Sequence, residues 1–396
     1  MKTTLIMGIA LLLTHVGRSQ EVDVDRIIRY SEEQVTLLLA ETQRLAADGR
    51  VSPRTLDTAG RLVLVPASDW TSGFFPGILW QLYATTNDGK WLEAAREATT
   101  KLESEKYNGR THDMGFKIYC SFGNGYHLTG DSAYRKVIIQ AAQTLSTRFN
   151  PVVGCLRSWD HNSHRWDFPV IIDNMLNLEL LFAATRLTGD SSFYHIAVSH
   201  ANTTLRNHFR PDGGTYHVID YNPQTGEIQH RNTHQGYADE STWARGQAWA
   251  LYGYTMCYRE TKDKRYLDKA IAVARWLMTH SHMPSDGIPY WDFDAPGIPD
   301  EPRDASAAAV IASALYELST FDSAADTFHS FADGIVRNLA AASTARTGTH
   351  SGFILLHSTG SKPADSEVDV PLIYADYYFL EALLRRRELS GLRKLD

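Results

Sequence analysis

The chain has 396 residues, a formal net charge of −7, 43% hydrophobic residues and 11% aromatic residues. An acidic balance with no Lys/Arg tract argues against a nucleic-acid partner, and the sequence contains no Gly-rich phosphate loop, no His-Glu-x-x-His run and no paired Cys-x-x-Cys. The cysteines Cys120, Cys155 and Cys257 are an odd set; Cys120 and Cys257 lie in apolar helical stretches, so buried thiols are expected rather than a disulfide framework.

The first segment, MKTTLIMGIALLLTHVGRSQ, has a Lys after Met1, an apolar run from Leu5 to Leu13 and then small and polar residues. That layout is a secretory signal peptide over residues 1–20, its apolar run too short to span a membrane. Export to the periplasm or beyond is expected, with 21–396 as one folded domain and no membrane partner.

An amphipathic helix follows near Asp25–Leu45, and after it a unit recurs: an almost wholly apolar helix, a short turn, then a helix with one charged face that opens near an aromatic residue. Copies begin at GFFPGILWQLY, MGFKIYCSFGNGYHL, NMLNLELLFAATRL, GQAWALYGYTMCY and ASAAAVIASALYEL, and Thr-Gly-Asp marks the turn at 129–131 and 188–190, with Thr-Lys-Asp at 261–263. A last apolar helix is expected near Val370–Arg387. If it pairs with the first, six hairpins close into an all-α (α/α)6 barrel, with short strands only in loops such as TYHVIDY.

Closure would start every inner helix at one rim, bringing together Asp69 and Trp70, His112 and Asp113, Asp173, Trp243 and Arg245, Arg303 and Asp304, and Asp369. Asp113 and Asp173 occupy equivalent places in successive repeats. Each alone reads as a helix cap; together they suit acid–base work, because burial and a neighbouring like charge raise one carboxyl's pKa. Arg245 sits among apolar neighbours and needs an anion, either a bound carboxylate or an internal acid such as Glu240. Trp70, Trp159, Trp243 and Trp249 read as core or as platforms for sugar rings. His161 and His164 are too few for a metal site, so none is expected.

The stretches DWTSGFFPGILWQLY, THDMGF, FPVIIDNMLNLELLF, TYHVIDYNPQTGE, THQGYADESTWARGQAWALYGYT and SEVDVPLIYADYYFLEAL resemble motifs of unsaturated glucuronyl hydrolases, glycoside hydrolase family 88, from about residue 25 to 388. The resemblance implies an (α/α)6 barrel that releases a 4,5-unsaturated uronic acid from the non-reducing end of lyase-generated, glycosaminoglycan-type oligosaccharides, without cofactor, as a monomer or weak homodimer. It implies Asp173 as general acid/base, and Asp113 with His112 as the pair that holds ring hydroxyls. His217, His234 and Gln235 would line the pocket, Arg245 and Trp249 would lie near the uronate, and Trp70, Trp159 and Trp243 would form aromatic walls. Ser358, Ser361 and Lys362 would sit in a loop over the second sugar, or in a solvated turn. An unsaturated rhamnogalacturonyl hydrolase, a sugar epimerase and a non-catalytic glycan-binding barrel are the competing readings.

Overall fold

The computed structural model describes residues 22–47, 49–322 and 325–391; the leader read at residues 1–20 lies outside them. The first outer helix, α1 (Val24–Leu45), leads to a hairpin of β1 (Arg50–Leu56) and β2 (Leu62–Pro66). Five hairpins follow, inner helix then outer: α2 (Phe74–Thr86) with α3 (Gly89–Thr100), a π-helix (Gly115–Gly123) running into α4 (Asn124–Thr129) with α5 (Ser132–Ser146), α6 (Asn174–Thr188) with α7 (Ser191–Asn207), α8 (Ala244–Thr261) with α9 (Lys264–Thr279), and α10 (Ala305–Leu318) with α11 (Ala325–Asn338). The inner helix α12 (Ile373–Leu389) packs against α1 and completes the sixth.

Around the axis α2 packs on the π-helix, the π-helix on α6, α6 on α8, α8 on α10, α10 on α12, and α12 on α2 again. The ring is closed: the fold is the (α/α)6 barrel. Burial follows the two layers. The inner helix α8 is buried without interruption from Ala244 to Cys257, whereas the outer helix α9 buries Tyr266, Leu267, Ala270, Val273, Ala274 and Leu277, a stripe at helical spacing. All three cysteines are free.

The Thr-Gly-Asp repeat is a turn built the same way each time. Gly130 and Gly189 end their helices at φ 67° and 75°, Lys262 does so at φ 58°, and the next residue, Asp131, Asp190 or Asp263, caps the outer helix by accepting a first-turn backbone N–H. Thr86-Asn87-Asp88 is a fourth copy, with Asn87 at φ 56° and Asp88 bonded to the Lys90 amide.

Two expectations need correcting. The last helix begins at Ile373 rather than Val370, because Ser366–Val370 forms β9, paired with β8 (Ser358–Ser361). The stretch from Gly115 is a π-helix and not an α-helix. There the Phe116 amide donates sideways to Asn177 Oδ1 on α6 at 3.1 Å, and the entry to α2 presses in from the other side. A Cβ on Gly73 would sit 2.2 Å from the Phe116 carbonyl oxygen and 2.3 Å from that of Lys117. Backbone cannot swing away as a side chain can, so Gly73→Ala is expected to cost roughly 2–3 kcal/mol. An unshifted urea midpoint in that variant would show that the π-helix yields freely.

The remaining strands carry the site. β3 (Phe149–Asn150) pairs with β4 (Cys155–Leu156), and β5 (Pro169–Ile171), β6 (Val218–Tyr221) and β7 (Ile228–Asn232) form an antiparallel sheet in the order β5-β6-β7, the TYHVIDY hairpin with one strand added.

Candidate active site

Asp173 and His217 are brought together by that sheet. Ile171 of β5 lies opposite Val218 of β6, and the Ile172 amide donates to the His217 carbonyl at 3.1 Å, so the residues on either side of the pairing enter the barrel mouth side by side. Asp173 holds the N-cap position of α6, yet its side chain caps nothing. Its Oδ2 is buried without a hydrogen-bond partner, 3.7 Å from His217 Nε2. His217 Nδ1 accepts the backbone N–H groups of His234 (3.1 Å) and Gln235 (3.2 Å). Burial, with His234 and Arg245 adding to it, holds the imidazole pKa well below its ordinary value. A neutral ring whose Nδ1 accepts must carry its proton on Nε2, facing Asp173.

Asp113 lies just ahead of the π-helix and is not a cap either. Its carboxylate accepts the Thr111 hydroxyl at 2.6 Å and stands 3.3 Å from His112 Nε2. Both nitrogens of the buried His112 lack hydrogen-bond partners, and burial lowers its pKa against the opposing pull of Asp113. The capping reading of the two carboxylates therefore fails: both side chains, 14% and 13% exposed, turn toward the cavity instead.

The Asp173 pKa is raised to about 7. Burial is the largest cause; the Arg245 charge and its own backbone N–H pull it down, Asp113 pushes it up, and Trp249 lowers it slightly. The Trp249 indole N–H approaches the carboxyl without closing a hydrogen bond, and its ring packs under the floor against Phe116 and Tyr378.

Asp173, Asp113 and His112 face a cavity of about 270 Å³ whose wall also includes Trp70, Trp159, His234, Gln235, Arg245 and Ser361, while His217 and Trp249 are buried and outside that lining. Trp70 packs on Phe116 and Tyr374, and Trp159 on His161, Trp166 and His234. Other expected site residues lie behind the wall. Trp243 is buried, with its ring 4.6 Å from His217 and the Arg245 guanidinium 4.5 Å from its centre, so it supports the site from beneath. Ser358 is buried with its hydroxyl unpartnered, and Lys362 opens a short 3-10 turn outside the lining. At the rim, Arg303 is bonded to Asp286 and the Ile288 carbonyl, and Asp369 is exposed and paired with His357; neither lines the cavity.

Arg245 has an internal partner, and it is Asp304 rather than the exposed Glu240. The Nη1–Asp304 Oδ2 distance is 2.8 Å with both side chains essentially inaccessible, and the guanidinium also donates to the carbonyls of Thr359 and Gly360 at 2.6 Å each. Three of its five N–H donors are therefore spent inside the protein, which leaves at most two for a ligand.

Arg54, His161, Phe116, Tyr374 and Glu367 also line the cavity, and sequence reasoning did not assign them to it. Tyr374, in the first turn of α12, was detectable by the rule that placed Arg245: both begin inner helices at the same rim. Its hydroxyl is buried without a partner. Arg54 lies in β1, ahead of the first inner helix, where the repeat offers no guide.

The glycosyl hydrolase family 88 model matches residues 56–317, which contain both carboxylates, His217 and Arg245. The chain belongs to glycosyl hydrolase family 88. It is thus a glycoside hydrolase, and its family-88 relatives share most of its length. It is 52% identical to an unsaturated glucuronyl hydrolase of Formosa agariphila over 85% of each chain. A crystal structure of an unsaturated glucuronyl hydrolase specific for heparin superposes with a TM-score of 0.89 at 44% identity, covering 93% of this chain and 98% of that one. A mutant unsaturated glucuronyl hydrolase of Streptococcus agalactiae, complexed with dGlcA-GalNAc6S, superposes with a TM-score of 0.76 at 27% identity, covering 92% and 91%.

Proposed function

We propose that this family-88 enzyme removes the terminal 4,5-unsaturated uronic acid from lyase-generated, glycosaminoglycan-type oligosaccharides by hydrating the C4=C5 vinyl ether, with Asp173 as both acid and base. The carrying observation is one buried carboxyl with a pKa of about 7 and an unpartnered Oδ2 in the cavity wall, opposite an Nε2–H that can only donate. A group half-protonated near neutrality can give a proton and take one back in the same turnover.

In the forward step the Asp173 proton goes to C4, the double-bond electrons form the new C–H bond, and positive charge develops at C5 and the ring oxygen. The Asp113 carboxylate stabilises that charge in a largely desolvated site. Water adds at C5 while the Asp173 carboxylate accepts its proton, restoring the acid. The C5 hemiketal then opens, C1 becomes an aldehyde, and the next sugar leaves with its hydroxyl. Because the chemistry starts at C4 and C5 and not at the anomeric carbon, the carboxylate spacings of inverting and retaining glycosidases do not apply. The two donors Arg245 retains, the Tyr374 hydroxyl and the Gln235 side chain are groups on the wall available to the uronate and its hydroxyls. Similarity to an enzyme named for heparin and to one bound to dGlcA-GalNAc6S supports the glycosaminoglycan class over the rhamnogalacturonyl alternative.

The signal-peptide layout read in residues 1–20 supports export to the periplasm or beyond. The experiment is direct: mix the protein with unsaturated chondroitin and heparin disaccharides and follow the ultraviolet band of the vinyl ether. Steady bleaching is expected. No bleaching of any unsaturated uronide between acid and mildly alkaline pH would leave a glycan-binding barrel as the reading.

A further inference from the structure

The cavity wall carries two guanidinium groups, and they differ in what a ligand can do to them. Arg245 is locked to Asp304, which has no exposed side-chain surface, and to two backbone carbonyls. Arg54 is held differently. Its Nε and Nη2 grip the two oxygens of Glu367 at 2.5 and 2.9 Å, and Glu367 itself lines the cavity. Its Nη1 bonds Asp69 at 2.9 Å from behind, so the guanidinium stays in place if Glu367 leaves.

Glu367 occupies this position against its backbone preference. It stands at φ 56° in β9, between Asp365 at φ 48° and Asp369 at φ 55°, a left-handed conformation that is strained for a residue with a Cβ. Its carboxylate lies so close over Gly360 that a Cβ there would meet Oε2 at 2.6 Å. Gly360 in turn is bonded through its carbonyl to Arg245 and Gln235. A carboxylate of the protein is thus held in a fork on the substrate wall by its own strained hairpin, and the same wall carries the buried and unpartnered hydroxyl of Tyr374.

We propose that Arg54 is a specificity-determining residue that receives an oxyanion of the substrate, and that Glu367 is the placeholder it gives up on binding. A uronate carboxylate or a sugar sulfate presents the same pair of oxygens to the guanidinium fork as Glu367 does, so pairing is exchanged rather than lost. The freed Glu367, on a two-stranded hairpin at the mouth, turns to solvent. The proposal rests on the acidic-sugar substrate class given above, and wild-type turnover of the same disaccharides checks that class separately.

The test compares Arg54→Met and Glu367→Gln on unsaturated disaccharides with and without sulfate and on the uronate methyl ester, with KM and kcat measured separately and thermal unfolding as a check of folding. Arg54→Met is expected to raise KM about tenfold or more on the matching acidic substrate and leave kcat within about threefold. Glu367→Gln is expected to lower KM several-fold, because Arg54 no longer has an internal anion to release. A plain structural clasp predicts the reverse for the second variant, since either substitution would loosen the hairpin and raise KM. If Arg54→Met erases discrimination between acid and methyl ester, the oxyanion is the uronate; if it erases discrimination between sulfated and unsulfated sugars, it is the sulfate. An unchanged or raised KM in Glu367→Gln, or an Arg54→Met enzyme that keeps both discriminations, overturns the proposal.

Discussion

Asp173→Asn is expected to cut kcat about a thousandfold while KM stays within a few-fold of the parent value. Asparagine preserves the shape and polarity of the side chain and can neither give nor take a proton, and positioned acid–base groups contribute roughly 10²–10⁴ in rate. The pH dependence carries a second signature. With the Asp173 pKa at about 7, kcat/KM should fall as pH rises through neutrality and the donor proton is lost. Asp113 raises that pKa, so Asp113→Asn should move the alkaline limb to lower pH. Stability should report on the same proton. The folded state holds the Asp173 proton more tightly than the unfolded chain does, so the parent loses stability as pH climbs from about 4 to 7, and the asparagine variant does not. Above pH 7 the variant should be the more stable protein, by up to roughly 4 kcal/mol for a side chain only 13% exposed. Urea titrations of both proteins at pH 5 and pH 8 measure the crossover. Retention of full kcat in Asp173→Asn would remove this residue from the chemistry.

The barrel was legible because its signals are local and repeated. A Thr-Gly-Asp turn encodes a left-handed helix end followed by an N-cap, both short-range facts, and three copies at matching places imply the ring. Ring closure then made the rim legible, and Asp113 and Asp173 do share a cavity with Arg245. What stayed hidden depends on contacts between distant segments. Nothing in GFKIYCSFG announces a π-helix; the cause is an asparagine some 60 positions downstream taking the Phe116 amide. Tryptophans at a rim look alike in sequence, yet Trp70 and Trp159 face the cavity while Trp243 lies under His217. Arg54 reaches the site from a hairpin outside the repeat, and its partner Glu367 comes from a strand where a loop was expected. Arg245 needed an anion, as its apolar neighbours required, but only the fold could choose Asp304 over Glu240.

Asp304 is where the second large effect should appear. Asp304→Ala is expected to destabilise the protein by about 3–5 kcal/mol, because a guanidinium with 1% exposure would be left without its counter-charge. The same carboxylate caps α10 through the Ser306 amide (3.0 Å) and hydroxyl (2.6 Å), and loss of a cap adds about 1 kcal/mol. Asp304→Asn keeps an oxygen for the cap and should fall short of the alanine variant by about that amount. The ion pair and the Asp173 carboxyl are also coupled. With Asp304 neutral, the positive field of Arg245 on Asp173 is less compensated, so the Asp173 pKa should drop and the alkaline limb of kcat/KM should shift to lower pH in the asparagine variant. Replacing both partners with apolar residues of similar volume, Arg245→Met with Asp304→Leu, should recover much of the stability lost in Asp304→Ala, since no charge is then left buried alone. It should not recover activity, because Arg245 no longer moderates the Asp173 carboxyl or anchors Gly360 and the hairpin over the cavity. A double variant as unstable as the single one would mean that the guanidinium's bonds to Thr359 and Gly360, and not its pairing with Asp304, hold this side of the barrel mouth together.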